Sequence, residues 1–121
     1  MRKLAIPLIL ILMTMPALAA DGTYTGEGTY VSGRADSCMG TSWSFEVSGD
    51  QVHAKVLPKN GRDRTRFADG VIKPDGTLTM SYSVPNDGAS RAVTIEGRFV
   101  GDSFEGTTNS ATCTYALKLQ R

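Results

Sequence analysis

The chain has 121 residues, which is enough for one small domain around a single hydrophobic core. Its formal net charge is +1, with 13 basic and 12 acidic residues and no long run of either sign. This balance argues against a protein that coats nucleic acid, because such a protein needs a clear basic excess.

The first element along the chain is an amino-terminal export signal. A positively charged start is followed by an apolar run over residues 4–15 and by Ala17 and Ala19 at cleavage spacing. This pattern predicts a secretory signal peptide over residues 1–19 and a mature domain over residues 20–121. Cleavage leaves 11 basic and 12 acidic residues, a net charge of −1. No cysteine stands directly after the cleavage site, the position to which a lipid anchor would be attached. We therefore expect a periplasmic or secreted domain without a lipid anchor or a transmembrane segment.

The mature sequence alternates apolar and polar residues with a period of two. Trp43, Phe45 and Val47, for example, are separated by polar residues. One apolar and one polar face per strand is typical of an antiparallel sheet that covers a core. The pattern predicts eight strands, near residues 23–32, 41–48, 51–57, 64–73, 77–84, 91–100, 103–108 and 112–120.

Short turns of glycine and aspartate separate pairs of these strands. The pairs Gly49-Asp50, Asp75-Gly76 and Gly101-Asp102 recur every 26 residues, the length of two strands with their connections. Glycine can adopt the positive φ that tight hairpin turns need. The spacing predicts an all-β fold, an eight-stranded antiparallel up-and-down barrel whose closure removes exposed edges. A barrel-like sandwich is the main alternative. An outer-membrane barrel is disfavoured, because most strands have about eight residues and crossing a bilayer takes about 9–11.

Two cysteines, Cys38 and Cys113, belong to the predicted mature domain. An even number of cysteines in an exported chain indicates a disulfide. This bond would join the last strand to the segment before the second strand. The alternative is a pair of free reactive thiols, which is disfavoured because no neighbouring histidine or Cys-x-x-Cys motif would stabilise a thiolate.

The turns, the Phe104-Glu105-Gly106 pattern and the cysteine pair resemble those of small exported calycin-like β-barrel proteins of Gram-negative bacteria. That group includes lipocalins, avidin-like proteins and bacterial protease inhibitors. The resemblance extends over most of the mature domain and implies a binding function on a barrel scaffold. It transfers no binding residue. Avidin-type pockets use several tryptophans and this chain has only Trp43, and the lipocalin Gly-x-Trp signature is absent.

The residue types needed for catalysis are scarce. His53 is the only histidine, and alternation with Val52 and Ala54 places it on the outer face. A Ser-His-Asp triad would have to use it, and no nucleophile-elbow motif marks a partner serine. A zinc site of the usual kind lacks ligands, and the turn aspartates do not form a calcium loop. We therefore expect a monomeric, non-enzymatic domain with no catalytic residues, no metal and no cofactor.

A row of basic residues is the first candidate binding surface. Arg62, Arg64 and Arg66 alternate on the face opposite Phe67, with Lys59 just before them. Since Phe67 is expected in the core, the row is predicted to lie on the outer face. Arginine binds carboxylates and phosphates through paired hydrogen bonds. The alternative is an ordinary solvated strand face.

The longer connections form the second candidate surface. They cover residues 34–40, 58–63 and 86–90 and should gather at one end of the barrel. Loops on a rigid scaffold often carry binding. This rim predicts an interaction with another exported protein, including inhibition of a hydrolase.

The barrel interior is the third candidate. A small barrel is either filled by side chains or holds one small ligand. Many bulky side chains are predicted to point inward, which favours a filled interior. The alternative is carriage of a small apolar ligand beside Trp43, Tyr82 and Phe99. The predicted inward aromatic residues and methionine are Tyr24, Tyr30, Trp43, Phe45, Phe67, Met80, Tyr82, Phe99, Phe104 and Tyr115.

Overall fold

Eight antiparallel β-strands and no helix make up the described part of the chain. The computed structural model describes residues 19–33, 38, 40–59, 65–86, 89–110 and 112–121, with the backbone alone described at 84–86 and 89–91. The strands are β1 (Gly22–Gly33), β2 (Thr41–Ser48), β3 (Gln51–Pro58), β4 (Arg66–Val71), β5 (Thr77–Asn86), β6 (Ala89–Val100), β7 (Ser103–Asn109) and β8 (Cys113–Gln120). The predicted all-β class and all eight strands are confirmed, with bounds that agree within two residues. The predicted signal peptide lies outside the described residues except for Ala19, which is buried.

The strands follow one another around a nearly closed barrel. Their hydrogen-bonded order is β4-β3-β2-β1-β8-β7-β6-β5, and each neighbouring pair is antiparallel. Strands that follow each other along the chain are therefore neighbours in space, and β1 pairs with β8. β4 and β5 stand at the two ends of this order and share no hydrogen-bonded ladder. The predicted eight-stranded antiparallel barrel is confirmed; it is nearly closed, with one seam between β4 and β5.

Side chains, rather than a backbone ladder, fill the seam between β4 and β5. The two strands are joined by a tight turn, in which the Lys73 N–H donates to the Thr77 carbonyl at 2.9 Å. Gly70 of β4 has no side chain, and Met80 and Leu78 of β5 occupy the space above it. A Cβ atom at Gly70 would collide with Met80 Cγ and would lie 2.9 Å from Leu78 Cδ1. The side chains of β5 pack against the bare backbone of Gly70 in β4, a strand of six residues. This packing closes the barrel here without a ladder.

The three predicted tight turns are confirmed. Gly49, Gly76 and Gly101 have φ values of 61°, 86° and 58°, in the left-handed region that glycine adopts without strain. Asp75 supports its turn by accepting hydrogen bonds from the Thr77 backbone N–H at 3.0 Å and from the Thr77 hydroxyl at 2.6 Å. These hydrogen bonds favour the charged carboxylate and lower the pKa of Asp75.

Aromatic rings fill the interior at the end of the barrel that carries the tight turns. Phe45 lies 5.0 Å from Phe104, Phe99 lies 4.9 Å from Phe104, and Tyr24 lies 5.2 Å from Phe99 between ring centroids. All four side chains are buried. Tilted and edge-to-face contacts at these distances are favourable beyond the burial of apolar area. This end of the barrel is therefore a packed core.

Two residues predicted to point inward are exposed. Tyr30 is 42% exposed and Phe67 is 56% exposed. Tyr30 pairs with Tyr115 near the end of the barrel, just before a register shift, and its hydroxyl donates to the Gly33 carbonyl at 2.7 Å. In β4 the inward positions belong to small residues, Ala68 and Gly70, because side chains from β5 already fill the space facing them.

The predicted disulfide is present. Cys38 and Cys113 are joined by an S–S bond of 2.06 Å with their Cα atoms 5.6 Å apart. Neither cysteine is free, so the alternative of two reactive thiols is wrong. The bond fastens the segment before β2 to the start of β8, at the end of the barrel opposite the tight turns.

Candidate functional site

Of the predicted arginine row, the structure describes only Lys59 and Arg66. Arg62 and Arg64 lie outside the described residues. Lys59 is exposed, and its Nζ forms an ion pair of 2.7 Å with Glu27 Oε2. Arg66 begins β4 and is half-buried on the inner face of the strand. The predicted outward orientation of Arg66 is therefore wrong, and a binding role for the row stays a prediction.

Strand register explains the inward position of Arg66. In neighbouring strands Gly26 pairs with Trp43, Trp43 pairs with Val56, and Val56 pairs with Arg66. Residues paired in this way share one face of a sheet. Trp43 and Val56 are buried, so the same inward-facing row ends in an arginine at the seam. A cation thus occupies a position that the register assigns to the interior.

Of the predicted interior residues, Trp43 and Tyr82 lie together, and Phe99 lies deeper. The ring centroids of Trp43 and Tyr82 are 6.2 Å apart. The Trp43 indole Nε1–H donates to Thr41 Oγ1 at 2.8 Å. Phe99 instead packs against Tyr24 in the aromatic core. The three residues all face inward as predicted, but they line two different parts of the barrel.

The surroundings of Tyr82 combine burial with polar neighbours. The pKa of Tyr82 is raised to about 12, mainly by burial and secondly by the nearby Tyr115 phenol, and the Arg66 guanidinium opposes this shift. Burial also raises the pKa of Tyr115. The Arg66 Nε atom is itself buried and has no hydrogen-bond partner. Sequence reasoning missed this grouping because it assigned Arg66 to the outer face.

The raised pKa of Tyr82 predicts a loss of stability in alkali. Above its usual pKa near 10, the unfolded chain releases the Tyr82 proton while the folded protein keeps it until about pH 12. The unfolded state then binds fewer protons, so the free energy of unfolding decreases as pH rises through this window. Urea unfolding at about pH 9 and about pH 11 should show a smaller decrease for Tyr82→Phe than for the wild type.

The matched control for this measurement is Tyr30→Phe, which removes the hydroxyl of an exposed tyrosine. This variant should retain the wild-type alkaline decrease. An equal decrease in Tyr82→Phe and wild type would contradict the assignment, since Tyr24 and Tyr115 would then account for all of the effect.

The single histidine lies on the outer face, as predicted. His53 Nδ1 is 2.7 Å from Asp69 Oδ1, and the His53 ring stacks on Phe67 with centroids 5.5 Å apart. The register aligns Thr23, Glu46, His53 and Asp69 across β1 to β4. They line an open groove of about 390 Å³. The groove carries two carboxylates and one imidazole on a solvent-exposed surface.

An apolar patch lies on the outer face of β3 and β4. Phe67 is 56% exposed, Val71 is 52% exposed and Leu57 is 41% exposed. We call Leu57, His53, Phe67 and Val71 the β3–β4 patch. These four residues occupy diagonal positions across β3 and β4, so their side chains are neighbours. The outer positions of β5 beyond the seam are Thr79, Ser81 and Ser83 and are polar, so the patch has a sharp border.

The predicted loop rim is described only in part. Residues 34–37, 39, 60–64 and 87–88 lie outside the described residues. The Lys59 N–H donates to the Gly40 carbonyl at 3.1 Å, so two of the described flanks meet at this end of the barrel. A role of the rim in binding a protein stays a prediction.

Within the described part of the chain, no three His, Cys, Asp or Glu side chains come together as ligands for a metal ion. None of its described segments is a helix long and apolar enough to cross a membrane. Searches of protein-family models, curated proteins and solved structures found no match to this chain.

Proposed function

We propose that the mature chain is a small exported, non-enzymatic binding domain and that its partner is another exported protein. The observation that carries this proposal is the β3–β4 patch. Phe67 leaves more than half of its surface in solvent, although an aromatic ring of this size is normally buried. Exposed apolar groups that cluster on a rigid face are typical of protein-binding surfaces.

The chemistry of the patch indicates what a partner presents. Phe67 is stacked on His53, and Lys55 stands opposite Phe67 in the ladder. The hydrogen bond between His53 Nδ1 and Asp69 Oδ1 lies on the same face. A partner that places an aliphatic or aromatic side chain over Phe67 and polar groups at the border would complement this surface. A hydrolase inhibited by the domain is the class of partner to test first.

Photo-crosslinking in the producing cells tests the proposal. A benzophenone side chain placed at Phe67 should yield a covalent adduct with a second polypeptide. The matched control is the same group at Val100, which is 59% exposed on β6, away from the patch. Adducts at both positions in equal amount, or at neither, would remove the patch as the binding surface.

Affinity for the captured partner gives the second measurement. Phe67→Ala should raise the Kd by about 30-fold, since a central aromatic contact is worth about 2 kcal/mol. Val100→Ala should change the Kd by less than about threefold. Equal effects of the two substitutions would show that Phe67 makes no special contact.

Carriage of a small ligand is the second candidate function, and the ring packing limits where such a ligand fits. Phe45, Phe99 and Phe104 are in mutual contact and fill the end of the barrel with the tight turns. The inward-facing rings of Trp43 on β2 and Tyr82 on β5 are accompanied by polar groups. A ligand held there would therefore need a polar part as well as an apolar one.

A further inference from the structure

The inner end of β4 holds a half-buried arginine with one unsatisfied donor. The Arg66 Nε atom is fully buried and makes no hydrogen bond. Neither the three ion pairs of lysine or arginine with a carboxylate nor the His53–Asp69 contact among the described residues includes Arg66. Burying a charged donor without an acceptor is unfavourable. The Nε–H donor of Arg66 is therefore left without an acceptor.

Aromatic groups surround this cation. Trp43 belongs to the same inward row as Arg66, and the Tyr82 ring lies 6.2 Å from the Trp43 ring. With a pKa of about 12, the Tyr82 hydroxyl keeps its proton at neutral pH and can donate a hydrogen bond. Burial also raises the pKa of the Tyr115 phenol, which lies close enough to affect Tyr82. The donors therefore lie at the border of an aromatic surface.

The seam is the one part of the described barrel wall where neighbouring strands share no backbone ladder. β4 and β5 share no ladder, so their facing backbone edges are not tied together over the part of the seam where Arg66 and Tyr82 stand. Near the turn, Met80 and Leu78 pack over Gly70. Packing therefore fills the turn end of the seam, and Arg66 lies toward its other end.

We propose that the seam between β4 and β5 binds a small aromatic carboxylate, with the carboxylate on Arg66 and the ring against Trp43 and Tyr82. The site is separate from the β3–β4 patch and does not depend on the protein partner proposed for that patch.

Guanidinium geometry favours a carboxylate over other acceptors. The Nε–H and one terminal N–H of arginine lie side by side, and the two oxygens of a carboxylate accept both. A carboxylate only accepts hydrogen bonds, which suits the Arg66 guanidinium and the Tyr82 phenol. Aromatic rings pair in tilted or edge-to-face contacts, as Trp43 and Tyr82 already do. A planar ring attached to the carboxylate can extend this arrangement.

Titration of the disulfide-bonded mature protein with 1-naphthoate tests the proposal. Trp43 is the only tryptophan, so its indole N–H gives a single NMR signal that reports on the site. This signal should shift in a saturable manner with 1-naphthoate. Arg66→Gln should raise the Kd at least about tenfold, because it removes a charge-assisted pair of hydrogen bonds. Lys118→Gln removes an exposed cation on β8 and should leave the Kd unchanged.

Two further probes test the role of the carboxylate and the role of the rings separately. The amide 1-naphthamide has the same ring without the charge, and it should bind at least tenfold more weakly. Inorganic phosphate has the charge without the ring, and it should also bind more weakly. Equal binding of 1-naphthamide would overturn the role of the carboxylate, and equal binding of phosphate would overturn the role of the rings.

Controls for folding distinguish a loss of binding from a loss of structure. Arg66→Lys keeps the positive charge but lacks the side-by-side donors, so it should weaken naphthoate binding even if Arg66→Gln does not fold. Each variant is first compared with the wild type by thermal unfolding without ligand. A folded Arg66→Lys or Arg66→Gln variant with wild-type affinity, or no saturable shift in the wild type, would overturn the proposal.

Discussion

Removal of the Cys38–Cys113 disulfide should lower the free energy of unfolding by about 4 kcal/mol. The two cysteines are 75 positions apart, so the bond closes a loop that includes most of the domain. Closing a loop of this length restricts the unfolded chain strongly, because the entropy that is lost grows with the logarithm of loop length. The double variant Cys38→Ser/Cys113→Ser should therefore unfold about 20 °C below the wild type.

The measurement is thermal and urea unfolding of the wild type and of the double variant, each with and without a reductant. Reductant should destabilise the wild type by the same amount as the substitutions do. It should have no effect on the double variant, which is the internal control. A difference below about 1 kcal/mol between oxidised and reduced wild type would show that the unfolded chain is already restricted in another way.

Phe45→Ala should lower the free energy of unfolding by about 3–5 kcal/mol. The Phe45 ring is fully buried and contacts Phe104, Phe99 and Trp43, with centroid distances of 5.0, 6.4 and 6.1 Å. The substitution removes apolar burial and leaves a cavity that rings attached to three different strands cannot easily fill. The loss should be near the upper end of this range if the neighbouring rings stay in place.

Urea unfolding checks this prediction, with Phe67→Ala as the matched control. The same side chain is removed at an exposed site, so the control should cost less than about 1 kcal/mol. Comparable losses in the two variants would contradict the assignment of Phe45 to the core and Phe67 to the surface. Because Phe45 is distant from the disulfide, its effect should add to that of the cysteine substitutions.

The strands and turns could be predicted from the sequence because each depends on local information. Residues such as Trp43, Phe45 and Val47 alternate with polar residues, and the glycines of the turns have no substitute at positive φ. The orientation of β4 could not be predicted this way. Phe67 is more apolar than Ala68, so the alternation within β4 alone predicts that Phe67 faces the core.

The neighbouring strand β5 explains why β4 has the opposite orientation. Ala68 and Gly70 are small because Met80 and Leu78 reach across the seam from β5. The inward position of Arg66 has the same cause, because the alternation that buries Ala68 also places Arg66 on the inner face. The one available signal was Ile72, a buried residue that shares its parity with Arg66. Side-chain contacts between strands decide such cases, and the alternation within one strand does not display them.

The pairing of β1 with β8 has a consequence for the order in which the chain folds. Asp21 and Arg121 meet there: Arg121 Nη1 donates to the Asp21 carbonyl at 3.0 Å, and the Arg121 N–H donates to the Asp102 carbonyl at 2.8 Å. Every other ladder joins consecutive strands and can form as a local hairpin. The β1–β8 ladder joins the two ends of the domain and carries a large loop-closure cost. A circular permutant that joins these ends and opens the seam would make all seven ladders local.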